Sequence, residues 1–285
     1  MNSEYTLSPM NYKFIVKDHF PELPNNRKMG VFLSGGMESS LISLIAKKYY
    51  GEDRVLFFYS DNIFSANDPD INTHINTNIT RAVDVLDITP IYLEFNYELH
   101  VSDRRQSIED KIESLREEYN VDFVMFGFTK LFFEVEIFKQ PGMTVEKIME
   151  LTYANPSKYA STIEEFHLPT GKYAQGLLEI DIPAEVYPLL RSTSGFIRSP
   201  FKDLNKSEVV DFYNQLGVID KLYGTSSCIM NSLTINGKHC GACFNCQQRW
   251  DAFKILNNPD IVDKTEYVSD VAKLRREELE RVIHS

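Results

Sequence analysis

A short apolar run, Gly30-Val31-Phe32-Leu33, stops at Ser34-Gly35-Gly36 and gives way to a helical pattern carried by Leu41, Ile42, Leu44 and Ile45. A strand that turns this sharply into a helix leaves backbone N–H groups unpaired at the helix N-terminus, where the helix dipole also favours an anion. Gly35 and Gly36 let the main chain bend and approach a phosphate oxygen with no side chain between, and Ser34, Ser39 and Ser40 add hydroxyl donors. No Gly-Lys-Ser/Thr follows, and the Gly-x-Gly-x-x-Gly spacing is missing, so two common nucleotide loops are excluded. The plain alternative is a Gly-containing βα turn with an ordinary Ser-rich cap.

The rest of the chain repeats the alternation. Val55-Leu56-Phe57-Phe58-Tyr59 reads as a second buried strand and 76–86 as a helix. Residues 90–95 read as a third strand, 107–119 as an amphipathic helix and 123–128 as a fourth strand. Strands alternating with helices predict an α/β fold with a doubly wound parallel sheet. The rhythm breaks from about 131 to 194, a Pro-, Tyr- and acid-rich stretch that reads as an insertion covering the sheet edge. It returns with Gly195-Phe196-Ile197-Arg198 as a strand and 206–216 as a helix closed by Gly217. The expected organisation is an extension over 1–28, an α/β domain over 29–225 that carries the loop, and a cysteine segment with C-terminal helices over 226–285.

Charge narrows the partners. At a net charge of −11 there is no basic stripe of the kind that grips a polyanion, so nucleic acid is not an expected partner. No run reaches the roughly 18 apolar residues that a membrane helix needs, so no membrane partner is expected. Met1-Asn2-Ser3-Glu4-Tyr5 has neither the basic region nor the apolar run of a secretion signal, so the expected location is the cytoplasm.

The four cysteines, Cys228, Cys240, Cys243 and Cys246, fall within one short segment and nowhere else. Two overlapping Cys-x-x-Cys turns plus an upstream thiol suit tetrahedral Zn2+ in a closed, structural site. An iron–sulfur cluster uses similar spacing, and visible absorption separates the two. His239, beside Cys240, is not needed once four thiolates fill the site.

The loop resembles the Ser-Gly-Gly-x-Asp-Ser signature of the PP-loop family, or N-type ATP pyrophosphatases, with Glu38 in place of the family aspartate. Loop and cysteines together resemble the QueC, or 7-cyano-7-deazaguanine synthase, branch. The match runs loosely over 29–128 and well over 196–254, through Ser199-Pro200-Phe201, Lys206-Ser207-Glu208, Cys240-Gly241-Ala242-Cys243-Phe244-Asn245-Cys246, Arg249 and Phe253. The resemblance implies an adenine nucleotide alpha hydrolase-like sheet with a C-terminal zinc-binding segment. It implies ATP and Mg2+ bound by Phe32, Leu33, Ser34, Gly35, Gly36, Met37, Glu38, Ser39, Ser40 and, at the end of the second strand, Asp61. Glu38, Lys206 and Arg198 are the candidate catalytic residues, the last two to neutralise charge building on phosphate.

The implied reaction adenylates the carboxylate of 7-carboxy-7-deazaguanine and converts it with ammonia to the nitrile. A homodimer is expected from the same resemblance. The middle departs from the branch: Gly127-Phe128-Thr129-Lys130 stands where Gly-x-Asn is expected, and the acidic insertion replaces a Tyr-Pro-Asp-Cys segment. Two alternatives therefore stand beside the leading reading. One is PP-loop chemistry on another acceptor, such as a tRNA base or a different carboxylate. The other is a nucleotide-binding protein without turnover.

Overall fold

The computed structural model describes residues 11–60, 69–94, 101–129, 195–228, 238–239, 244–256 and 258–267. The insertion over 131–194, Asp61, Cys240, Cys243 and the charged C-terminal helix lie outside the described residues.

Among the described residues five parallel strands make the sheet: β1 (Lys28–Phe32), β2 (Val55–Tyr59), β3 (Ile91–Tyr92), β4 (Val121–Met125) and β5 (Ile197–Arg198), in the order β3-β2-β1-β4-β5. The helices are α1 (Tyr12–His19), α2 (Met37–Tyr50), α3 (Pro69–Leu86), α4 (Val101–Glu118), α5 (Lys206–Gln215), α6 (Ile219–Tyr223) and α7 (Phe244–Leu256). This is an α/β fold. From β1 the chain steps outward to β2 and β3, then crosses back to β4 on the other side of β1. Right-handed crossovers therefore put α2 and α3 on one face and α4 on the other. The direction reverses between β1 and β4, and in open α/β sheets ligands bind at such a switch point, beyond the strands' carboxyl ends.

Central parallel strands are covered on both faces and so read as continuous apolar runs. Met29 and Val31 on β1 and Val121, Phe123, Val124 and Met125 on β4 are all fully buried. Val31 is the register point, lying opposite Phe57 on one side and Met125 on the other. The fourth strand ends at Met125 rather than continuing to 128. Phe126 turns instead to stack on Phe32 at 4.4 Å, and this carries residues 127–129 over the carboxyl end of β1.

The residues ahead of β1 join the core. Ile15, Phe20 and Leu23 are buried, the Tyr12 N–H donates to Gln215 Oε1 at 3.1 Å, and the Tyr50 hydroxyl donates to the Pro21 carbonyl at 2.6 Å. The α5 helix starts where Glu208 Oε2 accepts from the Asn205 N–H at 2.7 Å. That start puts Lys206 on the first turn, while Val209, Val210, Phe212 and Tyr213 are buried. Among the described residues no helix is long and apolar enough to cross a membrane.

Candidate functional site

The loop between β1 and α2 sits at the switch point. Leu33 extends the pairing of β1 by donating to the Phe58 carbonyl at 2.7 Å. Ser34 is exposed and 35–40 are buried. The turn is tied by its own serines: Ser39 Oγ accepts from the Ser34 N–H at 3.2 Å and lies 3.1 Å from Ser34 Oγ, which accepts from the Gly36 N–H at 3.3 Å. Ser40 makes the first intrahelical bond, to the Gly36 carbonyl at 3.2 Å. The N–H groups of Met37, Glu38 and Ser39 therefore precede the helical ladder and are available to an anion.

Two glycines let the loop be this compact. Gly35 has φ +74°, and a Cβ there would lie 2.3 Å from the backbone carbon of Asn78 on α3. Gly127, beyond β4, lies so close that a Cβ would sit 2.4 Å from the Ser39 nitrogen and 2.8 Å from the Glu38 carbonyl carbon.

The structure brings two of the three candidate catalytic residues together. Lys206 Nζ lies 2.9 Å from Glu38 Oε1, with both side chains nearly buried at 12% and 10% exposure. Thr129 Oγ1 donates to the same oxygen at 3.4 Å. Beneath them the fully buried Tyr213 hydroxyl donates to the Met37 carbonyl at 2.8 Å. Burial drives the Tyr213 pKa far above its ordinary value, so that hydrogen bond keeps its proton. Removing it in Tyr213→Phe is expected to cost about 1 kcal/mol of stability by denaturant titration, since a buried carbonyl loses its donor.

Arg198 is not brought to this group. Its Nε donates to the Gly195 carbonyl at 2.9 Å, and its guanidinium lies over the Phe123 ring, 4.3 Å from the centroid. Burial lowers its pKa, and Tyr50 and Asp122 oppose that change. Tyr50 ends α2 at the opposite end from the loop, so the structure does not bring Arg198 to Glu38 and Lys206. The physical reason is the aromatic surface of the neighbouring strand, which takes up the flat cation.

Cys228 and Cys246 are both fully buried. The peptide leading to Cys228 docks on the loop, where the Ser226 N–H donates to the Gly35 carbonyl at 2.9 Å. His239 is buried with Nε2 3.2 Å from Ser226 Oγ, and this places it beside the same peptide. Two buried thiols on adjoining elements suit a soft metal ion. Among the described residues no group of three or more His, Cys, Asp or Glu forms a metal cluster.

Gly127, Thr129, Asn78 and Tyr213 complete the loop's surroundings, and sequence reasoning missed their roles. Only Gly127 carried a signal, as a glycine directly after a strand of the sheet. Thr129 and Tyr213 are ordinary residues whose partners lie far away in the chain.

The family model described as "Queuosine biosynthesis protein QueC" matches residues 185–257, roughly a quarter of the chain. That segment contains Lys206, all four cysteines and α7. Over residues 185–257 the chain is similar to QueC. That match begins after the β1–α2 loop, so the Glu38–Lys206 ion pair joins the matched segment to an unmatched one. No curated protein matches the sequence. Among solved structures the chain is similar to the U34-tRNA thiolase NcsA from Methanococcus maripaludis with its [4Fe-4S] cluster. That likeness has 12% identity and a TM-score of 0.39, covering 95% of this chain and 78% of the thiolase.

Proposed function

We propose that this chain is an ATP-dependent enzyme that activates a carboxylate as its acyl adenylate and, with ammonia, converts 7-carboxy-7-deazaguanine to 7-cyano-7-deazaguanine. The observation that carries this reading is the Lys206–Glu38 contact at 2.9 Å, which sets a cation from the QueC-like segment against the anion-binding turn.

In this reading the N–H groups of Met37, Glu38 and Ser39 receive the phosphates of ATP, and Gly35 and Gly127 keep that space free of side chains. Glu38 is the carboxylate placed to hold Mg2+, which would neutralise phosphate charge when bound with ATP. The substrate carboxylate attacks the α-phosphorus, a P–O bond forms, the bond to the β-phosphate bridge breaks, and pyrophosphate departs. Lys206 stabilises the negative charge spread over the phosphates at that moment. Ammonia then attacks the acyl carbon, AMP leaves with the acyl oxygen, and the amide and one proton result. A second ATP adenylates the amide oxygen with release of pyrophosphate and one N–H proton, and loss of AMP and the other N–H proton gives the nitrile. A carboxylate is a poor acyl donor until its oxygen is made a leaving group, and that is why the reaction needs ATP.

The test is turnover with ATP, ammonia and 7-carboxy-7-deazaguanine, separating AMP from ADP and following the nitrile by mass. AMP, pyrophosphate and nitrile appearing only when all three are present support the reading. AMP without nitrile removes this substrate and keeps PP-loop chemistry with another acceptor. No AMP with any acceptor removes the enzyme.

A further inference from the structure

Arg249 lies on α7, one turn beyond Cys246, and is fully buried. Its Nε donates to Thr265 Oγ1 at 2.8 Å. Nη1 donates to Thr225 Oγ1 at 3.0 Å and to Ser227 Oγ at 3.4 Å, and Nη2 donates to the Leu222 carbonyl at 2.9 Å. All four acceptors are neutral oxygens. A buried guanidinium must have its donors satisfied, and its planar fork permits few arrangements. Arg249 thus fixes the backbone from Leu222 to Ser227 against the helix that carries Cys246.

The far end of that stretch rests on the phosphate loop at two points. The Ser226 N–H donates to the Gly35 carbonyl at 2.9 Å. The Cys228 carbonyl accepts from Asn78 Nδ2 at 3.0 Å, and the backbone of Asn78 is what packs against Gly35. Gly35 is therefore held from both sides by groups whose positions depend on the peptide between Thr225 and Cys228.

We propose that Arg249 is a positioning residue that locks the thiol-bearing segment and the phosphate loop into one unit, so that metal ligation by Cys228 and Cys246 sets the shape of residues 34–40. The loop-ordering half stands on geometry alone. Its consequence for ATP rests on the nucleotide reading above.

Hydrogen–deuterium exchange of the full chain without nucleotide reads this link directly. Arg249→Lys keeps the charge and loses the fork, and Asn78→Ala cuts the second contact without touching the arginine. Each is expected to speed exchange in the peptide 34–41 by about fivefold or more while leaving β4 unchanged, since local opening is what such amides report. Stripping the wild type with 1,10-phenanthroline, with metal content followed by mass spectrometry, should speed the same peptide, and added Zn2+ should slow it again. If Arg249→Lys does not fold, Asn78→Ala and the metal titration decide.

Unchanged exchange at 34–41 in Asn78→Ala, or no response to added Zn2+, overturns the proposal. A uniform acceleration that includes β4 also overturns it, as that marks general destabilisation. No ATP enters the measurement, so failure of the acyl-adenylate chemistry appears in the AMP assay and leaves this result standing.

Discussion

Lys206→Ala is expected to lower AMP formation by about 10²–10³-fold, the usual loss when one preorganised charge stabiliser is removed from a phosphate or oxyanion site. The stability of the variant should fall as well. Glu38 is left nearly buried, with the Thr129 hydroxyl at 3.4 Å as its remaining hydrogen-bond partner among the described residues, and stranding one partner of a buried pair costs on the order of 3 kcal/mol. The two effects are separable. In Lys206→Met combined with Glu38→Gln the stranded charge is gone, and most of the stability should return in a denaturant titration. AMP formation should stay low, because the cation is still missing. Recovery of both would mean that the ion pair acts only as a structural link between α2 and α5. Glu38→Gln alone gives the reverse case, an ammonium without its carboxylate. Its phosphate affinity is expected to rise while turnover falls, provided that Glu38 holds the metal that accompanies ATP.

Much of this site was legible because its determinants are local. A strand, a turn with two glycines and a helix lie consecutively in sequence, and their conformation follows from backbone chemistry that each residue carries itself. The helix that starts at Lys206 was legible from its own pattern and the closing Gly217, while the Asn205–Glu208 contact that begins it comes from the structure. The pairing of Glu38 with Lys206 was not legible, since it depends on α5 packing against α2 across the end of the sheet. Arg198 shows the opposite failure. The resemblance made it a candidate to neutralise phosphate charge, but its side chain lies over Phe123, a neighbour supplied by the parallel pairing of β4 and β5. Thr129 carries no signal of its own, since residues 127–130 depart from the Gly-x-Asn pattern of the resembled branch. The structure shows that this segment still lines the loop, with a hydroxyl at Thr129 and close packing at Gly127. The periodicity predicts a helix over 76–86, whereas α3 begins at Pro69, because its first turns are too polar for apolar periodicity to register.

Gly127→Ala should harm ATP binding more than it harms the fold. The added methyl would lie 2.4 Å from the Ser39 nitrogen and 2.8 Å from the Glu38 carbonyl carbon, and both are backbone atoms that cannot rotate away. Either the segment after β4 or the first turn of α2 has to shift. Overpacking of this kind typically costs about 1–3 kcal/mol. The shift falls on the N–H groups assigned to phosphate, where displacements of a fraction of an ångström spoil hydrogen bonds that need both distance and direction. ATP affinity, measured by calorimetry on the folded variant, is therefore expected to drop by about 100-fold, a change equivalent to roughly 2.7 kcal/mol. Gly217→Ala is the matching control. Gly217 has φ +71° and follows α5, but a Cβ there meets nothing within 4 Å. It should carry a backbone penalty of about 1–2 kcal/mol with no change in ATP affinity. Equal losses of affinity in the two variants would show that the defect is general destabilisation. A loss confined to Gly127→Ala would assign the first turn of α2 to phosphate, and would do so without relying on turnover.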